Sequence, residues 1–143
     1  MGRSQREKGK RGEREIAGIL RDYGYPCRRG QQFSGANGDA DVVGLPGIHI
    51  ECKRCERLNL KAALMQSRRD SKSSEIPVVM HRKDREPWKV SMYIQNFEKI
   101  YRVGVCSTFR RKIYGGKITL LLDDWICFYR EWQAEKELEQ ERE

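Results

Sequence analysis

Two short apolar runs joined by a tight turn constrain the fold of this chain more than any other feature. Residues 40–44 (ADVVG) and 48–53 (IHIECK) have the β-branched character of strands, and the three residues between them (LPG) are typical of a turn. A connection this short favours an antiparallel hairpin. Side chains alternate along a strand, so Glu51 and Lys53 share one face while Cys52 points into the core with Ile50.

The rest of the chain predicts further helices and strands around this hairpin. Apolar periodicity predicts helices over residues 9–23, 59–72, 94–102 and 122–140. Apolar runs predict an edge strand at 25–29 and strands at 76–81 and 88–92. The Gly-rich stretches 30–38 and 103–117 are expected to be loops, the second of them mobile. This order is typical of an α/β fold with a small mixed central sheet flanked by helices, including a C-terminal helix.

The charge of the chain is unevenly distributed. The net charge is +8, the first fourteen residues are mostly basic, and residues 131–143 contain six Glu against one Lys and one Arg. A positive field of this kind attracts polyanions, which makes nucleic acid the leading partner, although many basic proteins bind none. We expect one domain over residues 1–130, with a flexible basic segment at 1–8, followed by an acidic helical tail at 131–143.

The five cysteines indicate a reducing environment. Their odd number, and the lack of a signal peptide or an apolar run of about 18 residues, predict a soluble cytoplasmic protein without a membrane partner. Cys52 and Cys55 form a CxxC pattern, but alternation along a strand turns their thiols apart. Reduced core thiols are therefore favoured over a zinc site.

Asp41 supplies a second carboxylate near Glu51. It begins the Val42-Val43 run, and pairing of the two strands would bring Asp41 and Glu51 together at one edge of the sheet. Two adjacent carboxylates repel each other unless a cation such as Mg²⁺ neutralises them. Asp39 has the same strand parity and is the rival for this role. Glu51-x-Lys53 by itself is better explained as a surface ion pair, and only its combination with other acids indicates catalysis.

Glu13 is the candidate acid on the first helix. At 100° per residue, Glu13 lies about 50° from the centre of the apolar stripe and Glu15 about 110° from it. We therefore expect Glu13 to lean toward the sheet and Glu15 toward solvent. A simple preference of Glu13 for the positive end of the helix dipole is the alternative explanation.

These residues together carry a resemblance to a known superfamily. Glu13, Asp41 and Glu51-Cys52-Lys53, within KGKRGEREIAGIL, GDADVVG and HIECKR, resemble the PD-(D/E)XK nucleases. The helix start and the segment SRRDSKSSEIPVVM are most similar to archaeal-type Holliday junction resolvases and to small phage-encoded resolvase-like proteins. The resemblance covers roughly residues 8–92, and Ala40-Asp41 stands in place of the motif's Pro-Asp. It implies a restriction-endonuclease-like core and a homodimer that cuts four-way DNA junctions in a bacterial or archaeal cell.

The resemblance also implies roles for individual residues. Asp41, Glu51 and the backbone carbonyl of Cys52 would hold Mg²⁺, or Mn²⁺ in its place, and Glu13 would bind it through water or hold a second ion. Lys53 would orient the attacking water and stabilise charge on the phosphate. Gln66 matches a glutamine often found near such a site, although an exposed helical Gln usually has no special role.

Basic and small residues around this site are the candidates for contact with DNA phosphates. They are Lys8, Lys10, Arg11, Arg28, Arg29, Ser34 (with Gly35 and Gly38 in the same loop), Arg68, Arg69 and Lys72. A solvated helix face explains Arg68 and Arg69 equally well. The aromatic residues Trp125, Phe128, Tyr129 and Trp132 could form core, a dimer surface or a stacking platform for bases, and their helical spacing favours the first two.

Three functions fit these features. The first is a metal-dependent endonuclease for branched DNA, and the second is a nickase or restriction-like endonuclease for duplex DNA. The third is a DNA-binding accessory protein without catalysis, which the carboxylates argue against because they would only repel phosphate.

Overall fold

The computed structural model describes residues 2–30, 40–100 and 116–143. The helices in these ranges are α1 (Arg3–Asp22), α2 (Leu60–Asp70), α3 (Ile94–Ile100) and α4 (Leu122–Arg142). The strands are β1 (Arg28–Arg29), β2 (Val42–Val43), β3 (Ile48–Arg54), β4 (Ile76–Arg82), β5 (Lys89–Tyr93) and β6 (Lys117–Leu121). None of these helices is both long and apolar enough to cross a membrane.

The strands form one six-stranded sheet in chain order, from β1 to β6. β3 and β4 run parallel, and the other neighbouring strands of the described sheet pair antiparallel. Parallel neighbours need a crossover connection, which α2 provides. The predicted hairpin is confirmed, with Val42 of β2 opposite Ile50 of β3. The mixed α/β fold predicted from the sequence is therefore confirmed.

Helices cover both faces of the sheet. On one face, α1, α3 and α4 pack on the side chains of Ile50 and Met80 in the main core. On the other face, Leu64 of α2 packs against Val79 of β4. Asn59 caps α2 as predicted, since its Oδ1 accepts a hydrogen bond from the Ala62 amide at 3.1 Å. This layering leaves the face that carries Glu51 beneath α2.

Two glycines in the β2–β3 turn allow the chain to reverse close to its neighbours. Gly44 has φ 104° and Gly47 has φ 77°, values that other residues rarely adopt. A Cβ atom at Gly44 would lie 2.4 Å from the carbonyl oxygen of Pro26. At Gly47, a Cβ atom would lie 3.1 Å from the ring of Trp132. The register that brings Asp41 beside β3 therefore depends on these two positions.

The aromatic residues of α4 belong to the core. Trp125, Tyr129 and Trp132 are buried in the main core, and the partly buried Phe128 packs against this core. The Tyr129 hydroxyl donates to the Pro46 carbonyl at 2.7 Å, which ties α4 to the β2–β3 turn. Of the three roles left open by the sequence, the structure supports core packing. Residues beyond 130 continue α4 as a helix, as predicted for the tail, but Trp132 among them is part of the core.

Two boundaries predicted from the sequence are wrong. Helix α1 begins at Arg3 and not at residue 9, because its first two turns are exposed and have no apolar stripe that periodicity could detect. Strand β6 was missed, and Lys117 lies in it and not in a mobile loop. β6 is an edge strand of five residues in which Ile118 and Leu120 are only partly buried, so its alternation is short and carries little apolar signal. Most of the stretch predicted to be mobile, 103–117, lies outside the described residues.

Candidate active site

Asp41 is held against strand β3 by two backbone contacts. Its amide donates to the Ile50 carbonyl at 3.0 Å, and its Oδ2 accepts a hydrogen bond from the Cys52 amide at 2.9 Å. The residue is only 8% exposed. The preference for Asp41 as the acid that the hairpin brings beside Glu51 agrees with this geometry, whereas the rival Asp39 lies outside the described residues.

Asp41 and Glu51 are buried next to each other. Burial and the adjacent Glu51 carboxylate raise the pKa of Asp41 to about 7, and the Cys52 amide opposes this rise. Glu51 is 3% exposed, on the face of β3 that α2 covers. Two carboxylates that disfavour joint ionisation in a buried place have the donor chemistry of a hard divalent cation site. The residues present therefore fit a divalent metal.

Glu13 approaches this pair from α1. Its side chain is 14% exposed, and its Oε2 accepts a charge-assisted hydrogen bond from Arg29 Nε at 2.7 Å. Its negative charge contributes to the raised pKa of Asp41. The predicted lean of Glu13 toward the sheet is confirmed.

Glu15 does not point simply to solvent, so that expectation is wrong. Its Oε1 accepts a hydrogen bond from Trp88 Nε1 at 2.8 Å and lies 3.0 Å from an Arg82 Nη1 atom. Arg54 Nη1 lies 3.8 Å from its other oxygen. The helical wheel considered only the apolar stripe of α1, whereas basic side chains of β3 and β4 reach out to Glu15 from the sheet. Glu15 thus fastens α1 to the sheet.

Lys53 and Cys52 follow Glu51 with the predicted alternation. Lys53 is half-buried, and the Cys52 side chain is buried in the main core. Burial raises the pKa of the Cys52 thiol well above its ordinary value, so the thiol stays protonated. The Cys55 thiol is directed elsewhere, within 3.7 Å of the Arg57 carbonyl. The two thiols diverge as predicted.

Gln66 lies half-buried on α2, next to a residue that anchors this helix to the sheet. The hydroxyl of Ser67 lies 3.3 Å from the carbonyl oxygen of His49 and 3.1 Å from that of Val78. α2 is therefore fixed above strands β3 and β4. The role of Gln66 itself stays a prediction.

The predicted DNA-binding residues have different surroundings. Lys8 lies 3.0 Å from Asp84, Arg29 is bonded to Glu13, and Arg68 lies over the ring of Tyr93 at 5.7 Å. These partners already hold three of the cations in place. The exposed cations of the set are Lys10, Arg11, Arg28, Arg68, Arg69 and Lys72. Ser34, Gly35 and Gly38 lie outside the described residues.

His49 is a candidate residue that the sequence analysis missed. It is 3% exposed, and its Nε2 lies 3.6 Å from Glu51 Oε1. The signal was present, because strand alternation places His49 on the same face as Glu51 and Lys53. The charged pair of Glu51 and Lys53 dominates this face of the strand, so the imidazole two residues before Glu51 is easily overlooked.

A cleft of about 650 Å³ opens beside His49. The β2–β3 turn forms one wall, and the C-terminal end of α2 forms the other. Arg69, Asp70 and Lys72 line the second wall, so two predicted phosphate contacts face this cleft. Polar groups of both signs therefore line a cleft next to His49, which itself lies 3.6 Å from Glu51.

Comparison with known proteins agrees with this geometry. No curated protein matches the chain. A family profile described as "Phage putative PDDEXK endonuclease" matches residues 4–120, which is well over half of the chain and includes Glu13, Asp41, Glu51 and Lys53. The chain therefore belongs to the phage PDDEXK endonuclease family.

Proposed function

We propose that this protein is a divalent-metal-dependent DNA endonuclease that hydrolyses phosphodiester bonds in branched DNA, as a Holliday junction resolvase. Membership of the endonuclease family supports the reaction class. Mg²⁺ is the proposed cofactor, with Mn²⁺ able to replace it. The proposed setting is the cytoplasm of a bacterial or archaeal cell.

The observation that carries this proposal is the buried carboxylate pair. Asp41 and Glu51 lie side by side at 8% and 3% exposure, and the ionisation of Asp41 is disfavoured without a counter-ion. A protein that only bound DNA would gain nothing from buried acids near phosphate. A cation held between the carboxylates and the phosphate would remove their repulsion and give the buried pair a function.

Each residue of the site has a proposed task. Asp41, Glu51 and the Cys52 carbonyl would hold the cation, and Glu13 would add negative charge from α1. The bound cation would polarise the scissile phosphate and lower the pKa of the attacking water. Lys53 would orient this water and stabilise the charge that develops on the phosphate. Gln66 would support the site from α2.

The exposed cations are the proposed contacts to DNA. Arg69 and Lys72 face the cleft beside His49, and Lys10, Arg11 and Arg28 are exposed on α1 and β1. Contacts to phosphate position a duplex without reading its sequence, which suits an enzyme that recognises DNA shape. Symmetric cutting of a four-way junction requires two active sites, so we propose a homodimer.

The test compares a labelled four-way junction with a linear duplex of matched sequence, each with Mg²⁺ and with EDTA. Paired Mg²⁺-dependent nicks near the junction, absent from the duplex, are expected. Glu51→Gln should abolish them while DNA binding persists. Glu86→Gln is the matched control, because Glu86 pairs with Lys89 at 3.6 Å on the surface.

Other results would assign a different function. Equal metal-dependent cutting of junction and duplex would indicate a nickase or restriction-like enzyme. Tight DNA binding without cutting in any divalent metal would indicate an accessory protein and would refute the proposed catalysis.

A further inference from the structure

A buried imidazole beside the carboxylate pair lacks a hydrogen-bond partner. His49 Nε2 is inaccessible to solvent and forms no hydrogen bond within the described residues. Its distance of 3.6 Å from Glu51 Oε1 is too long for a hydrogen bond. A buried polar atom without a partner destabilises the fold, and a bound cation would supply the missing partner.

Asp70 completes a set of three ligands around this imidazole. One ligand atom from each of His49, Glu51 and Asp70 lies within 4.8 Å of the other two. Asp70 is exposed at the end of α2 and lines the cleft of about 650 Å³, so the set is open to ions from solvent. The three residues come from β3 and α2, which Ser67 holds together.

A further carboxylate lies near the second nitrogen of the ring. Glu75 Oε1 lies 4.0 Å from His49 Nδ1 and accepts a hydrogen bond from the Lys72 amide at 2.8 Å. At 4.0 Å this is no hydrogen bond, but a carboxylate on the Nδ1 side of the ring favours the tautomer that carries its proton on Nδ1. Nε2 is then left as the lone-pair donor on the side of Glu51.

We propose that His49, Glu51 and Asp70 form a second cation site, which shares Glu51 with the one at Asp41 and selects a transition-metal ion over Mg²⁺. Imidazole suits Zn²⁺, Cu²⁺ and Ni²⁺, whereas Mg²⁺ prefers oxygen ligands and retains its waters. Glu51 belongs to both sites, since its Oε1 lies 3.6 Å from His49 Nε2 and its carboxylate also adjoins Asp41. Zn²⁺ bound by His49 would therefore compete with Asp41 for Glu51.

The test measures Zn²⁺ binding by calorimetry in excess Mg²⁺, with nuclear magnetic resonance of the imidazole nitrogens. The chain has two histidines, so each ring can be followed. Zn²⁺ should shift the ring resonances of His49 and leave the ring resonances of His81 unchanged. The Nε2 atom of His81 lies 2.7 Å from the Ser91 hydroxyl. His49→Gln should weaken Zn²⁺ binding at least about tenfold, since residues that merely orient a ligand already account for 10–100-fold.

Three further variants make the result decisive. Asp70→Asn, at an exposed position that should not affect folding, should also weaken Zn²⁺ binding, and His81→Gln should not. Asp41→Asn should retain Zn²⁺ binding although it disables the proposed nuclease site, which separates failure of this proposal from failure of the proposed function. Wild-type Zn²⁺ affinity in both His49→Gln and Asp70→Asn, or unshifted His49 resonances at saturating Zn²⁺, would overturn the second site.

Discussion

Replacement of Asp41 by Asn should stabilise the metal-free protein while it abolishes cleavage. In the folded chain, burial and Glu51 raise the pKa of Asp41 from 3.8 to about 7. Above that pH, the folded state must carry a charge that its surroundings disfavour. Asn has nearly the same shape, can still accept the hydrogen bond from the Cys52 amide, and carries no charge.

The size of this effect follows from the two pKa values. A displacement from 3.8 to about 7 corresponds to roughly 4 kcal/mol at about 1.4 kcal/mol for each pH unit. Between these values the folded state binds more protons than the unfolded state, so wild-type stability falls as pH rises through this window. We expect Asp41→Asn to be about 2–4 kcal/mol more stable than wild type at pH 8, and this advantage to shrink by roughly 2–3 kcal/mol at pH 5.

The assay is urea unfolding of both proteins in EDTA at pH 5 and pH 8, followed by circular dichroism. Groups that titrate independently of Asp41 contribute equally in both proteins, so the difference between their free energies of unfolding reports the interacting pair of Asp41 and Glu51. Repetition with Mg²⁺ adds an independent check. A hundredfold excess of Mg²⁺ over its Kd should stabilise wild type by about 2.7 kcal/mol and the variant by much less.

Two results would refute this reasoning. An Asp41→Asn variant that is less stable than wild type at pH 8 in EDTA would show that the surroundings of Asp41 do not disfavour its negative charge. A stability difference that is the same at both pH values would show that Asp41 does not titrate in this window. Either result would also remove the main physical support for a metal between Asp41 and Glu51.

The remaining predictions concern α1, Lys53 and α4. Glu15→Gln should lower the free energy of unfolding by about 1–2 kcal/mol, because it weakens the contact to Arg82. It should leave cleavage unchanged, and a variant that is stable but inactive would place Glu15 in the active site. Lys53→Met should reduce the single-turnover cleavage rate at least about hundredfold while Mg²⁺ and DNA affinities persist, and a proportional loss of DNA affinity would instead make Lys53 a phosphate contact. Trp132→Ala should lower the free energy of unfolding, measured in urea, by about 3–5 kcal/mol. The control Leu138→Ala changes a residue that is 54% exposed and should lower it little, and equal effects would mean that Trp132 is not in the core.

Local patterns were sufficient for the hairpin and for most of the site. Strand alternation predicts that Glu51 lies on the other face of β3 from Ile50 and Cys52, and the short turn predicts that Asp41 lies beside β3. Both properties depend only on backbone geometry within a few residues. Asn59 was recognised as a helix cap for the same reason. The family could be recognised because its residues fall at fixed positions along these local elements.

Contacts between distant segments could be read only from the tertiary structure. Glu15 is fastened by Trp88 and Arg82, which lie more than sixty residues away in the chain, so a helical wheel of α1 alone could not place it. Asp70 joins His49 and Glu51 only because the crossover helix returns its C-terminal end to the start of β3. Sequence determined which side chains share a strand or helix face, since that is a matter of backbone period. Which faces meet, and therefore which ligands converge, was decided by packing of the whole chain.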